Sequence, residues 1–395
     1  MIKFLRENTE RSLLLLILLI AAVMRFYNIT GLSLSNEELS IITRIKEFSF
    51  SDFFSLPNIG DTGPAGFYTF LYLWMKIFGS SVFMIRLPFV ICGILTIYFS
   101  YRLAEKWFNS HAALFVAAAL CFLEFTLQCS QTARPFAPGS LITILSVWYW
   151  TKLLTDKENS KKNMIRFSIT LALAAYMHYF SLIFLGIVFL SGLFLLKKEK
   201  VKWYILSLLF FLILYAPNIP VIIYQLSNPS ESWLSIPWQG WFFEHIEHVF
   251  NNSFLVLYAV LGIFIISNIA GFTEVRIGKF HILSLAWFVI PIVYSFYYSL
   301  WVKPVLENAV LIFSFPFLLF FLFSFIRKEY RIYNYIALAM LIVLGIFSSV
   351  FEKDYYSTYH FGEFRDIAKK TTEWNDEYGE KKYNTCHKYK LSFLH

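Results

Sequence analysis

Two adjacent acids, Glu37 and Glu38, sit in the stretch Ser33-Leu34-Ser35-Asn36-Glu37-Glu38-Leu39, and a third, Asp61, opens Asp61-Thr62-Gly63-Pro64-Ala65-Gly66. A carboxylate at the edge of an apolar run is costly unless it is solvated or used. The chemistry open to it is general-base catalysis, taking a proton from an acceptor hydroxyl. Each cluster also has a plainer reading. Ser35 or Asn36 can cap a helix whose first turn favours acids, and Asp, Gly and Pro are ordinary turn residues. Arg134, in Ser130-Gln131-Thr132-Ala133-Arg134-Pro135-Phe136, is the cation of another short polar stretch. Its guanidinium fork suits a phosphate, while the plainer alternative is an arginine snorkelling to an interface. His178-Tyr179 interrupts an apolar run, where a lone histidine is commonly a hydrogen-bonded core residue. Glu244-His245-Ile246-Glu247-His248 has helical metal-ligand spacing but is not H-E-x-x-H, and a polar helix face explains it equally well.

These residues are set in a chain of 395 residues that is 58% hydrophobic and only 15% charged, with mean hydropathy +0.58. Soluble domains carry about 25% charged residues. The apolar residues come in runs of roughly 17 to 25, enough for a helix to cross about 30 Å of hydrocarbon. The fold class expected is an all-α polytopic membrane protein of about eleven transmembrane helices. The runs are 13–24, 82–101, 112–127, 136–154, 167–196 read as two short helices turning near His178-Tyr179, 203–224, 254–269, 280–300, 306–326 and 332–350. Pro217, Pro220, Pro291 and Pro316 are expected to kink span ends. Lys and Arg gather in alternate loops, which places the amino terminus inside and the 30–79 loop outside. The net charge of +8 is thus an orientation signal and does not suggest nucleic acid.

The basic start and first apolar run have the outline of a signal peptide, but no A-x-A site follows. An uncleaved helix with Arg25-Phe26-Tyr27 as interfacial anchor is expected. Residues 1–351 read as one membrane domain with interfacial helices in its outside loops, and 352–395 as a short polar outside tail, small for an independent domain. The aromatic loop 227–252 reads as an interfacial helix or lid. Cys129 and Cys386 could both face outside, although their spacing does not demand a disulfide.

Taken in order, the pieces resemble a family. They are an acidic pair after the first span; Asp61-x-x-Pro64 leading into an aromatic helix and Phe78-Gly79; Arg86-Leu87-Pro88; Tyr101-Arg102-Leu103; Ser130-Gln131-x-Ala133-Arg134; and His178-Tyr179. This order, over about 25–220, resembles the GT-C membrane glycosyltransferases of the family 39 type, which include protein O-mannosyltransferases and lipid A aminoarabinose transferases. The resemblance implies an inverting transferase that takes a sugar, hexose or pentose, from a polyprenyl-phosphate donor. It would pass the sugar to a hydroxyl of a lipid, glycan or protein on the outer face of the plasma (inner) membrane. The family's Asp-Glu pair falls on Glu37-Glu38, making Glu37 the implied catalytic base, with Asp61 and Glu38 as the other catalytic candidates. Arg134, as the one cation of the outside loop after the third span, is the donor-phosphate candidate, and His178 and Tyr179 are substrate-binding candidates. No cofactor is required, and a divalent metal is compatible. The chain departs from the pattern at Glu37, one methylene longer than the family's aspartate, where positioning errors of about 1 Å can cost roughly two orders of magnitude in rate. It departs also at Gly63 and Ala65, where members carry His and Pro, and in its short tail. Two other classes share the hydropathy: a transporter or lipid flippase, which should show internal repeats and charges within spans, and a non-catalytic member of the family.

Overall fold

An apolar run in hydrocarbon can satisfy its backbone only as a helix or a closed barrel, and here it does so as helices. The computed structural model describes residues 2–53, 63–228, 234–271, 277–358 and 364–378, and every regular element among them is helical. The α-helices of eight residues or more are, in chain order, α1 (Ile2–Phe26), α2 (Asn36–Glu47), α3 (Ala65–Phe78), α4 (Val82–Trp107), α5 (Ser110–Phe122), α6 (Glu124–Gln131), α7 (Phe136–Thr155), α8 (Ser160–Met177) and α9 (Tyr179–Leu193). They continue as α10 (Val201–Tyr215), α11 (Ile219–Ser227), α12 (Trp241–Val249), α13 (Phe254–Gly271), α14 (Lys279–Trp301), α15 (Phe315–Phe323), α16 (Arg331–Phe347) and α17 (Phe364–Tyr378).

Four helical stretches are long and apolar enough to cross a membrane: Val82–Trp107, Lys198–Ser227, Lys279–Trp301 and Lys328–Ser357. Counting each sharply bent pair as one span raises this to six, so the expected eleven are not reached among the described residues. The run 112–127 breaks at Leu123, where α5 and α6 meet at 60°. The run 306–326 is a 3-10 turn, Asn308–Phe313, followed by the nine-residue α15. Its apolarity has a different cause from lipid exposure. Leu311, Phe315, Phe317, Leu319, Phe320 and Phe323 are buried inside the protein, as is every residue of α5, and a helix apolar all round can be a core helix as well as a span. The 167–196 run does divide as expected, into α8 and α9 at an extended His178. Pro217 and Pro220 accompany a 3-10 turn between α10 and α11.

The bundle core is built around α5, which packs against α1, α4, α15 and α16. Its alanine-rich sequence lets these neighbours approach closely. Gly345 of α16 lies over Phe122, and a Cβ there would come within 2.3 Å of the ring. A second, smaller core caps one end of the bundle. Ile41, Ile42 and Ile45 of α2 pack with Phe67, Leu71, Tyr72 and Met75 of α3, Ile85 and Phe89 of α4, and Ala133, Ala137 and Met177. This cap carries the candidate site.

Candidate active site

Helix α2 begins in a capping box: the Ser35 side chain accepts from the Glu38 N–H at 3.2 Å, and Glu38 Oε2 accepts from the Ser35 N–H at 2.9 Å. The Glu38 carboxylate does more than cap. Arg86 of α4 donates to it twice, Nε to Oε1 at 3.1 Å and Nη2 to Oε2 at 2.9 Å, with both side chains fully buried. The rest of the guanidinium takes the carbonyls of Ile29 and Leu32 through Nη1 and that of Ser33 through Nη2. Glu38 Oε1 also accepts from the Ala133 N–H at 2.8 Å. A buried ion pair is tolerable when its remaining donors and lone pairs are satisfied, and here they are. One carboxylate thereby ties the loop after α1, the start of α2, the start of α4 and the link between α6 and α7 into a single joint.

That joint brings two of the sequence candidates together. Glu37 precedes Glu38, and Arg134 follows Ala133. The Arg134 Nη2 lies 3.9 Å from Glu37 Oε1, with the Glu37 side chain 43% exposed. On its other arm, Nη1 lies 3.9 Å from Glu307 Oε1. The guanidinium rests over the Phe136 ring, 4.7 Å from its centroid, and donates no hydrogen bond to a described residue. Glu307, on the segment between α14 and the 3-10 turn, was not singled out by the sequence, where it reads as the first polar residue of a span. The available signal was an acid three residues after Pro304, at the boundary of an apolar run. Burial pushes the Glu307 carboxyl above its ordinary range; the Arg134 charge pulls the other way and the Glu37 charge adds to the rise.

The other candidates are distributed around this centre. His178 caps α9, its Nδ1 accepting from the Phe180 N–H at 3.1 Å, and its ring packs on Phe136 and Phe313. It is therefore one ring behind Arg134. Tyr179 turns elsewhere and donates to Gln225, whose amide donates to the Gly63 carbonyl at 3.2 Å. Tyr179 thus braces the stretch after Asp61; Asp61 itself lies outside the described residues. In the Glu244–His248 segment, His245 pairs through Nδ1 with Asn308 Oδ1 at 2.8 Å and stacks on Trp241, Glu244 accepts from Trp238, and His248 meets the edge of Phe125. These contacts account for the segment as a helix that turns His245 and His248 inward and leaves Glu244 and Glu247 exposed. No group of three or more His, Cys, Asp or Glu among the described residues could hold a metal ion. Cys92, Cys121 and Cys129 are free thiols, and Cys386 lies outside the described residues. Arg25, expected as an interfacial anchor, is 1% exposed and staples α1 to the bundle through the carbonyls of Leu120 and Cys121, each at 2.9 Å, and through Ser130.

Comparison with known proteins bears on this arrangement. A family model described as dolichyl-phosphate-mannose-protein mannosyltransferase matches residues 61–222. The structure of ArnT from Cupriavidus metallidurans in the apo state aligns with a TM-score of 0.57 at 12% identity, covering 89% of this chain and 65% of that one. The same enzyme bound to undecaprenyl phosphate aligns with a TM-score of 0.57 at 13% identity, over 85% and 64% of the two chains. The oligosaccharyltransferase of Archaeoglobus fulgidus, in complex with Zn and sulfate, gives 0.52 at 12% identity, over 94% and 57%. The chain has the GT-C fold. It spans less than two thirds of the length of these solved GT-C proteins. None of the curated proteins searched matches its sequence.

Proposed function

We propose that this GT-C protein is a membrane glycosyltransferase that moves a sugar from a polyprenyl-phosphate donor to a hydroxyl of a lipid, glycan or protein acceptor. The observation that carries the reading is the pairing of the partly exposed Glu37 with Arg134 on a frame fixed by the buried Glu38–Arg86 joint. The donor already contains its leaving group, a lipid phosphate. Two things remain for the protein to do: remove the proton from the acceptor hydroxyl and stabilise the departing phosphate. Glu37 is assigned the first task and Arg134 the second, with its Nη atoms free of short hydrogen bonds to described residues and its face supported by Phe136. Displacement in line with the leaving phosphate inverts the anomeric carbon. Glu38 is given no chemical step, since its oxygens are occupied; it positions Glu37 and Arg134 relative to one another. His178 supports the Phe136 face, and Tyr179 with Gln225 holds the stretch that leads from Asp61, which is assigned acceptor orientation. The match of ArnT bound to undecaprenyl phosphate supports a polyprenyl-phosphate carrier here too. The outward-facing site of a multi-pass plasma-membrane protein, and a reaction without an obligatory metal, complete the proposal.

The test is transfer of radiolabelled sugar from polyprenyl-phosphate donors by the purified chain, with donor binding measured separately. Turnover that Glu37→Gln removes while donor affinity stays within about threefold supports the assignment. Full turnover in that variant refutes it.

A further inference from the structure

Glu307 has no step in the reaction above, yet it shares Arg134 with Glu37. The two carboxylates approach opposite arms of one guanidinium, each at 3.9 Å. The described cluster thus holds one cation and two potential anions before any substrate arrives. A lipid phosphodiester would bring a third anion to the same cation. Anions gathered around one guanidinium repel one another where water is partly excluded, and a proton or a displacement must relieve the excess. Glu37 is the more exposed of the pair, 43% against 27% for Glu307, and the proposed reaction needs it ionised.

We infer that Glu307 is a built-in counter-ion of Arg134 that gives up the guanidinium to the donor phosphodiester and takes up a proton as it does so. This rests on the reading of Arg134 as the phosphate contact. In the empty site Glu307 keeps Arg134 aligned over Phe136. In the occupied site its protonated carboxyl no longer repels the diester and can donate a hydrogen bond to it. The rise of its pKa through burial and through the Glu37 charge is in the direction this requires.

Other charged or titratable groups around Glu307 belong to several elements. Glu37 comes from α2, Arg134 from the α6–α7 link, and Cys129 from α6, where its thiol feels both the Arg134 and Glu307 charges. His178, at the α8–α9 break, is reached by the Arg134 charge. His245 of α12 holds the neighbouring Asn308. Lys303 precedes on the same segment and Tyr179 begins α9. Of the remaining helices packed on the 3-10 turn, α15 has no titratable residue, and those of α7, Tyr149 and Lys152, are more than three turns beyond Phe136.

The probe is a polyprenyl methyl phosphodiester, whose own charge does not change near neutral pH. Its binding to the purified full chain is followed by calorimetry in buffers of different ionisation heat. The expected result is uptake of about one proton on binding. Affinity is then highest below the pKa of the empty site and falls by up to about tenfold per pH unit until pH passes the raised pKa of the occupied one. Glu307→Gln should abolish the uptake, flatten the profile and bind more tightly than the parent at high pH. Parent binding without proton uptake overturns the inference, and needs no variant to fold. So does a Glu307→Gln protein that keeps the parental slope, which would move the proton to His178, His245 or Glu37, or one that binds weakly at every pH, which would make Glu307 only a support. Undiminished probe binding by Arg134→Ala would instead refute the phosphate reading itself.

Discussion

Glu37 and Glu38 are neighbours in the chain and opposites in the structure. Glu38 has a fully buried side chain, is paired with Arg86 and has a carboxylate saturated with donors at 2.8–3.1 Å. Glu37 is partly exposed and faces its arginine across 3.9 Å. In one pair geometry is complete and there is no place for a substrate. In the other the ion pair is too long for a hydrogen bond, and a phosphate or hydroxyl can compete for both partners. The first region supplies rigidity and the second, in the proposed reaction, supplies the reacting groups; the Ala133 N–H bonded to Glu38 links them. Preorganised charge is effective in catalysis because it is held by something else, and here the holder is the adjacent residue.

The comparison breaks first if Arg86 is neutral. Arg86→Met leaves the Glu38 carboxylate buried without its cation, and removing one partner of a buried pair typically costs about 3–5 kcal/mol. The expected outcome is a large drop in the midpoint of thermal unfolding in detergent, with loss of all activity. A variant that melts like the parent would show that the joint is not structural.

Glu37→Gln should give the complementary result: an unchanged melting midpoint with turnover lowered by about 10²–10⁴-fold, the usual contribution of a general base. Glu37→Asp should keep turnover or raise it, and measuring both variants in the sugar-transfer assay separates loss of the base from loss of reach. Arg134→Ala should come next in size, weakening donor binding by about 1.5–3 kcal/mol as loss of a charge-assisted contact does, again with little change in melting. Equal donor affinity in parent and variant would assign Arg134 to surface support alone.

The sequence made Glu37 and Arg134 legible as candidates because an acid beside a helix cap and a cation in a short polar loop are local patterns, and the structure brings the two within 3.9 Å. Only the family resemblance ranked Glu37 ahead of Glu38; the local pattern did not, since which acid faces inward depends on Arg86, 48 residues away in the chain. Glu307 was hidden for a related reason: its run has the hydropathy of a span, and only tertiary packing reveals that 306–326 is a buried 3-10 turn and a nine-residue helix. Arg25 likewise has the composition of an interface residue and the partners of a core one. The helical class and the division at His178 follow from the lengths of the apolar runs and the basic residues that flank them, and the helix ending at Gly79, with φ +90°, from glycine's freedom at positive φ. The number of spans does not, because burial in protein and burial in lipid select the same side chains.

The smallest effect belongs to Ser35, which completes the joint without carrying charge. Its side chain accepts the Glu38 N–H, and its own N–H donates to Glu38 Oε2. Ser35→Ala removes only the first of these and should cost about 1 kcal/mol, typical of a lost N-cap. Because the Arg86 bonds to Glu38 persist, the carboxylate should stay in place and Glu37 should still meet Arg134. The variant is therefore expected to melt slightly earlier and to turn over sugar at close to the parental rate. Steady-state transfer and thermal unfolding on the same preparation check this. A fall in turnover larger than tenfold, with so small a loss of stability, would mean that the start of α2 moves easily. The line between a rigid joint and a reactive pair would then have to be drawn inside the first turn of that helix, between the backbone of Ser35 and the carboxylate of Glu38.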